Sequence, residues 1–126
     1  MPATQRPVYL DLFKIKLPLP GVISFAHRVS GALMFLGIPF VLYLLDLSLS
    51  GSAGFMHARA VATSWWLVPA VVLVTWSLCH HLLAGVRYLL MDLEIGIAKR
   101  PSFQSAAWVG VSALVLTVIL LLAIYL

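Results

Sequence analysis

One stretch governs how this chain folds: Cys79-His80-His81-Leu82-Leu83-Ala84-Gly85-Val86-Arg87-Tyr88-Leu89-Leu90-Met91-Asp92. It overlaps the end of a run, Ala60 to Val86, that holds no aspartate, glutamate, lysine or arginine. A bilayer core is crossed by about 20 apolar residues, so this run is long enough to span it. Ionisable groups at membrane depth are costly and usually face a bundle interior, where they mark a functional site. The stretch therefore predicts a transmembrane helix that carries a site.

The composition of the whole chain indicates a membrane protein. Of its 126 residues, 63% are hydrophobic and 10% are charged, whereas about a quarter are charged in soluble chains. The apolar runs predict three transmembrane helices in a single all-α domain: 21–46, 65–91 and 103–126. Residues 1–20 predict a polar segment outside the membrane, with Phe13 to Leu17 extended. The sparsely charged segment from Leu47 to Ser64 predicts a loop.

The basic residues predict the orientation of the chain. Of its eight lysines and arginines, all but Arg59 lie in the N-terminal segment, the opening of the first span or the 87–100 region. Cytoplasmic segments carry the excess of lysine and arginine, so we expect a cytoplasmic N-terminus and a periplasmic C-terminus. Topology thus explains the net charge of +4, and no nucleic-acid partner is predicted.

His81 has the surroundings that an axial haem ligand needs. At helical spacing it shares a face with Gly85, Tyr88 and Asp92. Gly85 predicts a gap one turn away, where a flat macrocycle could approach a neutral imidazole. His80 and His81 point about 100° apart around the helix and cannot hold one iron from opposite sides, so the second ligand would come from another polypeptide. A packing hydrogen bond across a helix–helix contact would explain His81 equally well.

The opening of the first span carries a second group of polar residues. Ser24, Arg28 and Gly31 share one face, and His27 lies one step round from it. They could form a pocket that hydrogen-bonds a quinone carbonyl or a haem propionate. Alternatively, His27 and Arg28 extend to the lipid headgroups at a helix end. Since the first two spans are antiparallel, we expect this group at the same membrane edge as the end of the second span.

The cysteine count limits which cofactors this chain can bind by itself. It has one cysteine, whereas an iron–sulfur cluster needs about four cysteine ligands. It also lacks a glycine-rich nucleotide loop. Any flavin or iron–sulfur chemistry would therefore belong to partner chains.

Three motifs resemble those of a known family. Ser24-Phe25-Ala26-His27-Arg28-Val29-Ser30-Gly31 resembles the S-x-x-H-R-x-[ST]-G motif of the cytochrome b subunits of succinate dehydrogenase, the larger of its two membrane anchors. His81-Leu82-Leu83-Ala84-Gly85-Val86-Arg87 is similar to their H-x-x-x-G-x-R haem motif. Arg6-Pro7-Val8-Tyr9-Leu10-Asp11-Leu12 is similar to the R-P-x-x-L-D-L start of proteobacterial members. The resemblance covers the whole chain.

The resemblance implies a subunit of a four-subunit succinate:quinone oxidoreductase, respiratory complex II. A flavoprotein with FAD and an iron–sulfur subunit would oxidise succinate, so the catalytic succinate site would lie on a partner chain. Two small anchor subunits in the bacterial inner membrane would share one haem b and bind ubiquinone near the cytoplasmic face. Electrons would then pass from the tricarboxylic acid cycle to the respiratory chain. The three spans would form half of a two-subunit haem-binding helical bundle.

The resemblance also implies roles for individual residues. His81 would be the axial haem ligand from this chain, with the neighbouring His80 as the alternative. Ser24 and Arg28 would line the quinone site, and His27 and Arg28 would approach the haem propionates.

Two further residues match the family less closely. Tyr88 stands where many members carry histidine; it can donate a hydrogen bond to a propionate but adds no positive charge. Asp92 matches an acidic residue near the mouth of the quinone site.

Two other classes of function stay open at this point. The chain could be the anchor of a fumarate reductase, whose reaction runs in the opposite direction. It could also be a purely structural membrane protein or a small transporter in which His81 only packs. A transporter would more often carry a carboxylate at mid-membrane, whereas the four acidic residues lie outside the span centres: Asp11, Asp46, Asp92 and Glu94.

Overall fold

The computed structural model describes residues 16–126, which form four α-helices. The helices are α1 (Leu19–Leu49), α2 (Ser52–Ala62), α3 (Val68–Asp92) and α4 (Lys99–Tyr125). Three of them, α1, α3 and α4, are long and apolar enough to cross a membrane, which confirms the all-α fold with three spans. The Arg6–Leu12 motif and residues 13–15 of the predicted extended segment lie outside the described residues.

Helix α1 begins between two prolines. Pro18 is its extended N-cap residue, and Pro20 lies in the first turn. Proline is tolerated there because the first N–H groups of a helix have no partner within it. The helix extends to Leu49, three residues beyond the predicted end of the first span.

Helix α2 corrects the prediction of a loop between Leu47 and Ser64. The Ser50-Gly51-Ser52 sequence and Gly54 suggested a loop, but helix-favouring alanines follow them. Gly51, with φ of 113°, makes the bend that separates α1 from α2. A side chain at Gly54 would collide with the Leu47 carbonyl and the Ser50 side chain. Gly54 is therefore needed because α2 closely approaches the end of α1 there. It does not make the segment irregular.

The other boundaries differ from the predicted ones by a few residues. Trp65 and Trp66 precede α3, which begins at Val68, and both are exposed. Helix α4 begins at Lys99 and has Pro101 in its first turn, where proline is tolerated. Residues 93–98 join α3 to α4 and bend at two positive-φ residues, Glu94 and Gly96.

Helix α3 packs antiparallel to both α1 and α4. Gly31 of α1 lies against His81 of α3, and Gly37 lies against Val74, so α1 and α3 run in opposite directions. Ala84 and Ala106 are fully buried between the helices. Their small side chains allow the helix backbones to approach closely. The start of α1, the end of α3 and the start of α4 therefore lie together at one end of the bundle.

Candidate functional site

The centre of the candidate site is a contact between His81 on α3 and one turn of α1. Nδ1 of His81 lies 3.1 Å from the His27 carbonyl oxygen and 3.3 Å from Ser30 Oγ. The Ser30 hydroxyl donates a hydrogen bond to the same His27 carbonyl at 2.8 Å. The predicted packing interaction of His81 is thus present, and it uses only one of the two ring nitrogens.

These contacts favour one tautomer of His81. A protonated Nδ1 donates to the His27 carbonyl, whereas an unprotonated Nδ1 would place its lone pair against that oxygen. The Ser30 hydroxyl already donates to His27, so its oxygen is free to share the Nδ1 proton. We assign the proton to Nδ1, which leaves the lone pair on Nε2 available to a metal. Metal-bound histidines commonly donate their other N–H to a backbone carbonyl in this way.

Two glycines lie beside the imidazoles. A Cβ atom at Gly31 would be 2.9 Å from Cε1 of His81, so a methyl group there would displace the ring. At Gly85, a Cβ atom would be 3.7 Å from Nε2 of His27. The sequence predicts a gap beside Gly85 for a macrocycle, but in the structure the His27 imidazole lies beside this glycine.

His27, His81 and Tyr88 form one cluster of rings. The rings of His27 and His81 are stacked at 4.0 Å between centroids, with 12° between their planes. The Tyr88 ring meets His27 edge-on at 5.2 Å. The Tyr88 hydroxyl is buried and has no hydrogen-bond partner within residues 16–126. The structure therefore brings together three of the residues predicted to lie at or near a haem.

His80 lies in a different environment from its neighbour. It is 2% exposed and stacks on Trp76, one turn away on the same helix, at 5.2 Å. Its Nε2 atom is buried and has no hydrogen-bond partner in the described part of the chain. His80 thus packs inside this chain, whereas His81 is partly exposed.

The residues predicted to bind quinone lie at the same end of the bundle. Ser24 is half-buried, and Arg28 and Asp92 are exposed. Among residues 16–126, no side-chain hydrogen bond joins these three to the ring cluster. Within the described residues, Arg28 and Asp92 thus lie at the surface of the bundle, where a ligand or another subunit could contact them.

Arg87 has hydrogen-bond partners that the sequence did not predict. It is 5% exposed, and its Nε donates to Ser105 Oγ at 2.9 Å. Its Nη2 donates to the carbonyl and the hydroxyl of Ser102 at 3.1 and 3.0 Å. Arg87 thus joins α3 to α4, and its guanidinium carbon lies 5.3 Å from the centre of the Tyr88 ring. The signal in the sequence is the pair of serines, three residues apart, in the first two turns of α4.

Comparisons with known proteins agree with the predicted identity. The family described as succinate dehydrogenase/fumarate reductase transmembrane subunit matches residues 2–123. The succinate dehydrogenase cytochrome b556 subunit of Coxiella burnetii is 37% identical over 90 residues, which cover 71% of this chain and 72% of that protein. The subunit of the same name from Paracoccus denitrificans is 27% identical over 121 residues, covering 96% of this chain and 93% of the relative.

Proposed function

The chain belongs to the succinate dehydrogenase/fumarate reductase transmembrane subunit family, and from this membership we propose which parts of the enzyme it supplies. It is a multi-pass membrane anchor of succinate dehydrogenase, an oxidoreductase complex, and as a cytochrome b subunit it is associated with haem b. The proposal concerns the residues that bind haem and quinone, the partner subunits and the orientation in the membrane.

His81 is the axial haem ligand that this chain contributes. The observation that carries this assignment is the engagement of Nδ1 by the His27 carbonyl, because it leaves the lone pair on Nε2. His80, the alternative ligand, is buried within this chain, which counts against that assignment. When bound, the haem supplies a one-electron redox centre, while His27 and Tyr88 hold its carboxylates by donating hydrogen bonds, together with Arg28 at the membrane edge.

A second ligand to the haem would come from a second small anchor subunit. His27 stacks its ring face to face on the ring of His81, so its nitrogens do not face Nε2 of His81. His80 is enclosed within this chain. One haem b is therefore shared between the two anchors.

Ser24 and Arg28 bind the quinone. They are one turn apart on α1, at the end of the bundle that carries His81, and Arg28 is exposed. The serine hydroxyl donates a hydrogen bond to a quinone carbonyl, and the guanidinium stabilises the negative charge that develops there on reduction. Asp92, exposed at the end of α3, lies at the mouth of this site. The substrate is ubiquinone, and the chain passes it electrons from succinate oxidation.

The succinate chemistry lies on other subunits. With one cysteine in its sequence, this chain cannot supply the ligands of a four-cysteine iron–sulfur cluster. A flavoprotein with FAD and an iron–sulfur subunit perform succinate oxidation and dock at the cytoplasmic face of the bacterial inner membrane. The family description includes fumarate reductase, but the relatives named above are all succinate dehydrogenase subunits.

An optical difference spectrum tests this proposal. The complex is purified gently through a tag on this chain, and spectra are recorded after air oxidation, after succinate and after dithionite. We expect a b-type band upon addition of succinate, which links the haem to a succinate-oxidising partner. A band that appears only with dithionite would contradict this link, and no band in an intact complex would contradict haem binding.

A further inference from the structure

His27, Ser30 and Gly31 on one turn of α1 enclose the His81 imidazole from two sides. We infer that this turn, called here the imidazole seat, fixes both the tautomer and the rotation of the His81 ring and so makes Nε2 the ligand atom. The inference rests on the proposed role of His81. Ser30 and Gly31 are then positioning residues, which act on the haem only through His81.

The polar side of the seat fixes the tautomer. The His27 carbonyl accepts hydrogen bonds from His81 Nδ1 at 3.1 Å and from the Ser30 hydroxyl at 2.8 Å. Ser30 is fully buried, so water does not compete for these groups. The Ser30 hydroxyl donates to this carbonyl, and its oxygen also shares the Nδ1 proton at 3.3 Å. Loss of the hydroxyl therefore changes the hydrogen bonding of Nδ1–H and, with it, the electron donation of the ring to iron.

Gly31 permits the observed rotation of the ring because it has no side chain. A Cβ atom at this position would lie only 2.9 Å from Cε1 of His81. The atom in the way is the far end of a rotatable side chain, so an alanine at position 31 can be accommodated if the imidazole turns. The expected consequence is a misaligned ligand in a folded chain.

A pair of glycine substitutions separates the steric effect from a change in helix stability. Gly31→Ala and Gly37→Ala both introduce the same methyl group into α1. At Gly37, however, the new Cβ would lie at an ordinary 3.5 Å from Val74. In the purified complex, electron paramagnetic resonance of the ferric haem reports the relative orientation of the two axial rings. We expect a shifted signal in Gly31→Ala and a signal like that of the parent in Gly37→Ala.

A pair of serine substitutions tests the polar side by potentiometric titration of the haem. We expect Ser30→Ala to shift the midpoint potential and Ser30→Thr, which keeps the hydroxyl, to restore it towards the parent value. A potential that is unchanged in Ser30→Ala, or a threonine variant that behaves like alanine, would overturn the role of the hydroxyl.

The variant His81→Phe, measured in the same series, separates the two proposals. If it keeps the haem, the proposed ligand is wrong and the imidazole seat fails with it. If it loses the haem while Gly31→Ala and Ser30→Ala match the parent in signal and potential, the ligand stands and only the imidazole seat is overturned.

Discussion

His80 and His81 are adjacent in sequence but face different surroundings, and a matched pair of substitutions exploits this difference. Phenylalanine keeps a flat ring of similar size and cannot bind iron. We expect His81→Phe to abolish the b-type band because Nε2 is lost. His80→Phe should retain the band, since the buried ring stacks on Trp76 and its Nε2 has no hydrogen-bond partner in residues 16–126. Loss of haem in His80→Phe alone would reverse the assignment of the ligand.

Arg28 should matter for quinone reduction and much less for succinate oxidation. Loss of a charged hydrogen-bond donor costs about 1.5–3 kcal/mol, so we expect Arg28→Leu to lower quinone reduction about tenfold or more. Succinate oxidation with an artificial acceptor should change much less. Arg59→Leu, which removes another exposed arginine at the end of α2, is the control. Equal losses in both assays for Arg28→Leu would indicate misassembly instead of a quinone site.

The sequence predicts which site residues share a helix face, but not which residues of two helices meet. Helical periodicity on α3 placed His81, Gly85 and Tyr88 on one face, since it depends only on the helix repeat. The stacking of His27 on His81 could not be predicted, because it depends on the register between α1 and α3. The ring that fills the space beside Gly85 therefore became visible only in the folded chain.

Among the helices, α3 and α4 are held together by a buried charge. Arg87 donates to Ser105 through Nε at 2.9 Å and to Ser102 through Nη2. Breaking a hydrogen bond of a buried charged group costs about 1.5–3 kcal/mol. We expect Ser105→Ala to lower the thermal midpoint at which the purified complex loses its subunits. Ser112→Ala, at an exposed position of the same helix, should leave the midpoint unchanged, and equal effects of the two would contradict the role of Arg87.

The helices themselves could be predicted to different extents. The three spans were evident because runs of about 20 apolar residues have few alternatives to a membrane helix. Helix α2 was missed because serine and glycine suggested a loop, and only Ala58 of its residues is buried. Arg87 was interpreted as one of the charges that set the topology. Its burial depends on two serines contributed by the next helix, a pairing that no local pattern reveals.

At the scale of the whole molecule, the antiparallel packing gathers the proposed sites at one end of the bundle. The ring cluster, Ser24, Arg28 and the Arg87 contacts all lie there. The opposite end carries α2, where the Tyr125 hydroxyl at the end of α4 contacts the Ala62 carbonyl at 3.4 Å. Quinone reduction consumes protons as well as electrons, so a site at the membrane edge has access to water that a mid-membrane site lacks. The orientation of the bundle then decides which compartment supplies those protons.

Cysteine labelling in intact cells tests the predicted orientation. Ala53 in α2 and Ala98 before α4 are both exposed and lie at opposite ends of the bundle. The native Cys79 is 2% exposed and should not react. Because basic residues flank the end that carries Ala98, we expect a membrane-impermeant maleimide to label Ala53→Cys in intact cells. Ala98→Cys should label only after detergent solubilisation. The reverse pattern would place the ring cluster and the proposed quinone site at the periplasmic face, where a flavoprotein in the cytoplasm could not deliver electrons to them.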